Sequence, residues 1–316
     1  TNLAVQNDLT ITAGSLAMGA NNLDVGTTSE TNSGNIKVAS GQSLTQSASG
    51  TTTILSSASG ANCIGANAAS CTGTSGTITF GNLNIGNASA TFTTMLGDNS
   101  GGSTTVTVAT VLTITTNATL SNGVALLILS GTGTPFVKTG TFAGGNSGTT
   151  RYTGSAAGVT VANATYINLE LTPGGSQTYT LAGGSWAIYH MTANNGVTVN
   201  LETSDPDINM ASLTLNSSST WTKSTTGTLS FTNGNSPTAT ITDNNSTKQD
   251  LGILSVTGSD RTLNLASSVT ATSLTLATSA TFSLNGSNTF TLTGTGTPFS
   301  VSGGTFTPST GTVSYV

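Results

Sequence analysis

Thr104–Thr115, T-T-V-T-V-A-T-V-L-T-I-T, alternates polar and apolar residues along most of its length. Shorter stretches of the chain do the same, at Leu213–Leu215, Leu263–Leu265, Leu274–Leu276 and Phe290–Thr293. Successive side chains of a β-strand point to opposite faces, so this alternation is typical of half-buried strands. It predicts an all-β fold in which threonine faces solvent and valine, isoleucine and leucine face the core.

The composition favours the same fold. Only 5% of the 316 residues are charged, whereas about 25% is usual in globular domains. Glutamate and lysine, which favour helices, are scarce, and a net charge of −5 with six prolines is not typical of a disordered chain. The sequence has no basic patch to neutralise phosphates, so nucleic acid is not an expected partner. No apolar run approaches about 18 residues, so no membrane-spanning helix is expected.

The chain also contains internal repeats. Gly131–Phe136, G-T-G-T-P-F, recurs letter for letter as Gly294–Phe299. A Gly-Thr-Phe sequence follows each copy, at Gly140–Phe142 and at Gly304–Phe306. Recurring strand-forming units are typical of stacked coils that bury their apolar faces against one another. The repeats therefore predict an elongated β-solenoid, or β-helix, of irregular coils.

A looser signature indicates a longer unit. Leu3, Leu83, Leu169 and Ile253 each lie in a short strand-like sequence, and the intervals between them are nearly equal. We expect one continuous solenoid made of about four divergent units. The solenoid is expected to span residues 1–316. The approximate bounds of its four units are 1–77, 78–163, 164–247 and 248–316. An array of β-sandwich units is the alternative fold, because about 80 residues also fit an immunoglobulin-like domain.

The two ends of the sequence match a junction inside it. Ser75–Ile85 reads S-G-T-I-T-F-G-N-L-N-I. Thr310–Val316, T-G-T-V-S-Y-V, followed by Thr1–Val5, T-N-L-A-V, reproduces this junction with two residues in place of the single glycine. We expect either that the chain is part of a longer repeat array or that separate copies stack head to tail.

Unpaired strand edges explain why such copies would associate. An exposed edge strand is a template for another chain, and head-to-tail contacts that do not close produce open polymers. Neither end of the sequence has the pattern of a capping helix or a charged edge. We therefore expect a homopolymer formed through the terminal strands. The residues expected to associate are Leu3, Val5, Leu9, Ile11, Phe306, Val313, Tyr315 and Val316.

The sequence resembles the Thr/Ser/Gly/Asn-rich repeat regions of large bacterial cell-surface β-solenoid proteins. The resemblance is carried by the block at Gly304–Tyr315, by the strand Asn82–Ile85, and by the Leu-Thr-Ile strand at Leu112–Ile114. It implies a secreted, elongated architecture with an adhesive or fibrous role, and it transfers no catalytic residue to this chain. Together with the terminal strands, it leads us to expect a non-enzymatic subunit of an extracellular filament or surface fibre. The alternative is a monomeric surface adhesin or passenger domain that binds carbohydrate or another surface, with surface polysaccharide as a partner.

The two cysteines suit that location. Cys63 and Cys71 lie eight positions apart in a segment of small residues, and an even number of cysteines favours a disulfide in an oxidising compartment. Two free, buried thiols are the alternative.

Few residues are candidates for chemistry. Glu202, Asp205 and Asp207 are expected to form a solvated turn, and the alternatives are a calcium-binding loop and the acid and base of a glycosidase. No other metal site and no cofactor is expected. The single histidine, His190, alternates with aromatic residues and is expected on a strand face, so we expect no enzyme activity. Rows of threonine hydroxyls could bind ice or polysaccharide if they were in register, although threonine is also simply a soluble strand residue.

Overall fold

The computed structural model is built from short β-strands, and the residues it describes contain no helix. The described residues are 2–27, 34–56, 61–65, 71, 73–86, 91–97, 103–145, 147–155, 158–232, 238–258 and 260–316. The first eighteen strands are β1 Leu3–Val5, β2 Leu9–Ile11, β3 Ser15–Gly19, β4 Leu23–Val25, β5 Ile36–Val38, β6 Ser43–Gln46, β7 Thr51–Ile54, β8 Ala61–Gly65, β9 Thr77–Phe80, β10 Asn82–Ile85, β11 Phe92–Leu96, β12 Thr105–Val108, β13 Leu112–Ile114, β14 Ala118–Ser121, β15 Leu126–Leu129, β16 Phe136–Lys138, β17 Thr141–Ala143 and β18 Thr149–Tyr152. The others are β19 Val159–Val161, β20 Thr165–Leu171, β21 Gln177–Leu181, β22 Ser185–Ala193, β23 Val197–Asn200, β24 Asp207–Leu215, β25 Thr220–Thr222, β26 Thr228–Phe231, β27 Thr238–Asp243, β28 Ile253–Val256, β29 Thr262–Leu265, β30 Val269–Ala271, β31 Ser273–Leu276, β32 Thr281–Ser283, β33 Thr289–Leu292, β34 Phe299–Val301, β35 Thr305–Thr307 and β36 Thr312–Tyr315.

The strands fall into two compact units. The first comprises Thr1–Ala156 and Ala164–Ile167, and the second comprises Ala157–Asn163 and Asn168–Val316.

In the first unit each strand pairs with the strand three positions earlier in the chain. One turn of the chain therefore contains three strands. One sheet has the order β1-β4-β7-β10-β13-β16 and another contains β2, β5, β8, β11, β14 and β17. The third contains β3, β6, β9, β12, β15 and β18. All these ladders are parallel. The first unit is therefore a stack of three-sided coils.

The register places the apolar residues of successive coils on top of one another. Leu83 pairs with Leu112, and Ile85 pairs with Ile114 on the next coil. All four side chains are fully buried, while the threonine or asparagine between each pair faces outward and is half-buried. The period of two in the sequence therefore becomes a column of aliphatic side chains inside the solenoid and a column of polar side chains outside it.

The second unit is also a stack of parallel coils, but some of its strands are longer. Ile208–Met210 of β24 pairs with β26, whereas Ser212–Leu215 of the same strand pairs with β27. The two halves of β24 thus continue as two separate sheets, one through β28, β31 and β34 and the other through β29, β32 and β35. The remaining side consists of β19-β21-β23-β25 and β30-β33-β36.

The predicted all-β solenoid is confirmed. The alternative of β-sandwich units is wrong, because every described ladder is parallel, whereas sandwiches of the immunoglobulin type are built from antiparallel sheets. Leu3 and Leu83, which define the first interval of the looser signature, lie in β1 and β10 of one sheet, three coils apart. The division into four units stays a prediction.

The coils differ in length although their strands stack in register. Leu3 pairs with Leu23, and Leu23 in turn pairs with Thr52, so the second of these two coils is longer than the first. The described strands of both coils nevertheless keep the same register from one coil to the next.

Candidate self-association site

The terminal coils have strands that are paired on one side only. Within the described residues, β1, β2 and β3 pair with β4, β5 and β6 alone. Likewise β34, β35 and β36 pair only with β31, β32 and β33. Each terminal coil therefore presents three rows of backbone N–H and C=O groups without a ladder partner. Such rows are templates for a further strand.

The backbone hydrogen bonds identify which residues face the open side at the N-terminal coil. Leu3 N donates to Asn22 O (3.0 Å), and Val5 O accepts from Gly26 N (2.9 Å). Successive residues of a strand direct their N–H and C=O groups to opposite sides, so the backbone groups of Ala4 face the open edge. By the same argument, Thr10 faces it on β2.

The C-terminal coil has the same arrangement on its opposite side. Thr312 N donates to Asn288 O (3.1 Å), and Val316 N donates to Leu292 O (3.0 Å). The N–H and C=O groups of Val313 and Tyr315 therefore face the open edge.

Apolar side chains that point toward the core are left uncovered at the N-terminal coil. Leu3 is 37% exposed, although Leu23 and Leu83 in the same sheet are completely buried. Val5 and Leu9 are half-buried, and Ile11 is buried. The column of aliphatic side chains thus ends at a surface.

The C-terminal coil ends in a cluster of aromatic residues. Phe306 stacks on Phe282, with ring centroids 5.8 Å apart, and Phe299 meets Phe306 edge-to-face at 5.1 Å. Phe282 is fully buried, whereas Phe299, Phe306 and Val313 are half-buried. Tyr315 and Val316 are exposed. The eight residues predicted to associate therefore lie on two terminal coils, four on each.

The internal junction at Ser75–Ile85 is fully paired. β9 pairs with both β6 and β12, and β10 pairs with both β7 and β13. Phe80, at the end of β9, is completely buried, whereas Tyr315 at the matching position of β36 is 61% exposed. The terminal strands thus have the sequence of a paired junction but lack the second set of partners.

The first copy of the G-T-G-T-P-F coil is covered by an aromatic side chain that the sequence analysis did not identify. Tyr166 contacts Phe142 with ring centroids 5.7 Å apart, and its hydroxyl lies 3.0 Å from that of Tyr152. Burial, with Tyr152 next to it, raises the pKa of Tyr166 well above its usual range. The repeated sequence was the signal that could have identified Tyr166, because the residues that pack on each copy of a repeated coil can be compared.

Few charges oppose association at these coils. Residues 294–316 contain no charged side chain, and Asp8 is the single charged residue among residues 1–22. Asp8 is held within its own unit by Lys37, whose Nζ lies 2.9 Å from Asp8 Oδ2. Burial raises the pKa of Asp8, but hydrogen bonds from Lys37 and Asn35 and the Lys37 charge together hold it below its usual value.

The two cysteines form a disulfide in the structure. Cys63 lies in β8, its Cα is 5.5 Å from that of Cys71, and both side chains are buried. The bond closes the connection that follows β8 in the first unit.

Carboxylate oxygens of Asp205 and Asp207 in the acidic loop accept hydrogen bonds from other residues of the protein. Asp205 Oδ1 accepts from the Ser224 hydroxyl and from Thr225 N (2.7 Å), and Asp207 Oδ1 accepts from Thr228 N (2.9 Å). Across the part of the chain that the structure describes, no three acidic, histidine or cysteine side chains are grouped to hold a metal ion. The arrangement has the geometry of a capped turn, and a calcium ion would have to compete with these donors.

His190 lies on an outward strand face, as expected. Its Nδ1 is 2.7 Å from Ser212 Oγ, the residue opposite it on β24. Partial desolvation lowers the pKa of the imidazole. Ser212 is thus a cross-strand hydrogen-bond partner of His190.

These features define the class of protein as a β-solenoid of repeated coils rich in threonine, serine and asparagine. In comparisons of the chain with protein-family models, with curated proteins and with solved structures, nothing matches. No helix in the described residues is long and apolar enough to cross a membrane.

Proposed function

We propose that this chain is a structural subunit of an extracellular filament or surface fibre, which assembles head to tail through its terminal coils. One observation carries the proposal. Among the residues that the structure describes, each terminal coil has three strands that are paired on one side only, next to apolar side chains that are partly exposed. A second copy of the chain supplies both missing parts.

The free energy gained by burying the terminal coils against each other can be compared with the cost of association. Complete burial of a leucine, valine or phenylalanine side chain stabilises by roughly 1.5–3 kcal/mol, and each hydrogen bond by a net amount of about 0.5–1.5 kcal/mol. Association of two molecules costs roughly 4–15 kcal/mol in lost freedom of motion. The apolar residues of two terminal coils, together with three new ladders, are sufficient to exceed that cost. Because backbone groups supply the ladders, we expect assembly to tolerate salt.

The extracellular location rests on chemistry of the chain. The disulfide between Cys63 and Cys71 requires an oxidising compartment to persist. The sequence also resembles the Thr/Ser/Gly/Asn-rich repeat regions of bacterial cell-surface solenoids, and this resemblance supports the same location. A bacterial cell surface is therefore part of the proposal.

Proline substitutions at the open edge test the assembly. In Ala4→Pro/Thr10→Pro, proline removes two N–H groups that face the open side and leaves the bonds to β4 and β5 in place. Electron microscopy over a concentration series should show filaments of the original chain and single particles of this variant. The matched control, Ala4→Ser/Thr10→Ser, keeps both N–H groups and should form filaments.

Two results contradict the proposal. The first is filament formation by the proline variant, with circular dichroism showing that it is folded. The second is a chain that stays monomeric at every concentration, as a solitary adhesin would.

A further inference from the structure

A groove of about 380 Å³ crosses three coils of the first unit. It lies over β6, β9 and β12 and the corners that precede these strands. Its lining includes the outward side chains of Ser43, Thr77, Thr105 and Thr107, with Ser75 and Ser103 at the corners. Among the described residues that line it, none is charged. The assembly described above does not involve this groove.

The hydroxyl groups in the groove are in register, although the coils that carry them differ in length. Ser43 pairs with Thr77, and Thr77 pairs with Thr105. A second column begins two residues further along, where Thr79 pairs with Thr107. Neighbours are spaced by about 4.8 Å across the strands and by about 6.6 Å along them. Thr77, Thr79, Thr105 and Thr107 thus form a regular grid of hydroxyl groups, in which Thr79 lies beside the groove and the other three line it.

Three of these hydroxyls, those of Thr77, Thr105 and Thr107, are available to a ligand, whereas Ser43 Oγ donates to Ser15 Oγ (2.8 Å) and Ser75 Oγ donates to Gly76 O (3.0 Å). Across the described residues, the side chains of Thr77, Thr105 and Thr107 make no hydrogen bond within the protein, whereas Thr110, Thr115 and Thr139 each donate to a backbone carbonyl. Thr77 and Thr105 are exposed and Thr107 is half-buried. A hydroxyl both donates and accepts, so the grid suits a ligand that also presents donors and acceptors along its length.

Backbone forms part of the groove floor. Gly76 packs so closely on the preceding coil that a Cβ atom there would lie 2.1 Å from the carbonyl oxygen of Gln42. No side chain can therefore occupy this position. The described corner residues that line the groove are Gly41 and Gln42 before β6, Ser75 and Gly76 before β9, and Ser103 before β12, so Gln42 is the one large side chain among them.

We infer that this groove binds a linear, uncharged polysaccharide lying along the stack of coils. The described lining has no lysine or arginine to attract an anionic polymer, and no carboxylate to attract a cation. A repeating polyhydroxyl chain matches the donors and acceptors, the spacing and the neutrality of the grid. Sites for extended ligands with a few convergent polar groups are typically concave, as this groove is.

Affinity electrophoresis tests the inference. The protein is run in native gels that contain a neutral β-glucan, dextran or the anionic polymer alginate. Thr77→Val/Thr105→Val/Thr107→Val removes three hydroxyls and keeps β-branched side chains on the outer face. We expect a neutral polysaccharide to retard the original chain and the triple valine variant to bind it at least tenfold more weakly.

Two matched controls isolate the hydroxyl groups. Thr77→Ser/Thr105→Ser/Thr107→Ser keeps them and should keep the affinity. Thr178→Val/Thr198→Val/Thr220→Val removes an outward column of the second unit, in which these residues pair in register away from the terminal coils, and should bind as the original chain does.

Four outcomes overturn the inference. The first is that the valine variant of the groove binds as tightly as the original chain, and the second is that the valine variant of the second unit loses as much affinity. The third is retardation of the original chain by alginate alone, and the fourth is that no polymer retards it. Inhibition of ice growth without retardation in the gels belongs to the last outcome. All variants should polymerise as the original chain does, so a failure of assembly is distinguished from a failure of binding.

Discussion

At the scale of single residues, Asp205 shows how this chain uses its few charges. Its carboxylate accepts hydrogen bonds from the Ser224 hydroxyl, from Thr225 N at 2.7 Å and from Thr226 N at 3.3 Å. These donors favour the ionised form and hold the pKa of Asp205 well below its usual range. The backbone of Asp205 adopts a positive φ of 43°, which aspartate tolerates better than most residues. Asp205 is therefore a cap on the next coil.

Asp205 predicts a loss of stability in acid. Its pKa is lower in the folded than in the unfolded chain, so its contribution is complete above the unfolded value of about 3.9 and is lost as the pH falls below it. Thermal unfolding between pH 7 and pH 2.5 should show a smaller fall in Tm for Asp205→Asn than for the original chain. Asp24→Asn is the matched control. Identical profiles for the original chain and Asp205→Asn would contradict this role.

The same side chain distinguishes a capped turn from a calcium site. If Glu202, Asp205 and Asp207 bound calcium, EDTA would lower the Tm of the original chain. We expect the Tm to be unchanged, because the oxygen atoms of Asp205 and Asp207 already accept protein hydrogen bonds. A Tm that falls with EDTA and recovers with added calcium would restore the calcium hypothesis.

The disulfide predicts a sensitivity to reductant. A bridge between residues eight positions apart restricts the unfolded chain, and by loop-closure entropy it stabilises by about 2–3 kcal/mol. Reduction should lower the midpoint of urea unfolding by the corresponding amount. Cys63→Ser/Cys71→Ser should unfold at a lower midpoint whether or not reductant is present. If reductant leaves the urea midpoint of the original chain unchanged, the disulfide does not stabilise the fold.

At the scale of elements, the repeated G-T-G-T-P-F sequence has a backbone explanation. The first glycine of each copy approaches the preceding coil: a Cβ atom would lie 1.8 Å from Thr110 O at Gly131 and 2.4 Å from Thr272 O at Gly294. The second glycine of each copy has positive φ, 66° at Gly133 and 77° at Gly296. Side chains are excluded at one position and strained at the other, which accounts for both glycines in the two copies.

This explanation predicts unequal effects of alanine. Gly131→Ala should destabilise the protein by about 1–3 kcal/mol, because the backbone of the preceding coil has to move. Gly174→Ala is the control, since a Cβ atom there meets nothing within 4 Å, and it should leave stability nearly unchanged. Free energies from urea unfolding compare the two. Equal effects would mean that the close approach is not a constraint.

The strands were predictable from the sequence, but their partners were not. Alternation in Thr104–Thr115 identifies strands and the side chains that face the core, because both depend on local period alone. The pairing of Leu23 with Thr52 depends on a connection whose length the pattern does not restrict. The hydroxyl grid and the role of Tyr166 follow from register, so neither was accessible before the coils were aligned. The apolar alternation of the eight terminal residues was visible in the sequence because it lies within single strands, and their association stays a prediction.

At the scale of the whole molecule, the internal junction specifies how two copies should meet. Thr79 of β9 pairs with Thr107 of β12. Ser314 has in β36 the position that Thr79 has in β9. On the other side of Thr79, Thr45 of β6 pairs with it, and Ala17 of β3 pairs with Thr45, so Ala17 lies in the same column of the third sheet. Head-to-tail stacking in this register therefore places Ser314 of one copy beside Ala17 of the next.

Cross-linking tests this register. Mild oxidation of Ala17→Cys/Ser314→Cys should produce a ladder of disulfide-linked multimers, because opposite residues on neighbouring strands lie about 4.8 Å apart. Ala17→Cys/Thr312→Cys shifts one partner by two residues, beyond the reach of a disulfide, and should give little product. Filaments without cross-links in the first variant would mean a different register, whereas the absence of filaments would count against assembly itself.

The connections between strands have a practical consequence. The coil from Leu3 to Leu23 is shorter than the coil from Leu23 to Thr52, yet the strands of both stack in register. Peptides inserted at such corners would be carried on the outside at intervals of one strand spacing, about 4.8 Å. The solenoid is thus a natural display scaffold, on which the number and order of grafted epitopes could be chosen without redesigning the interior.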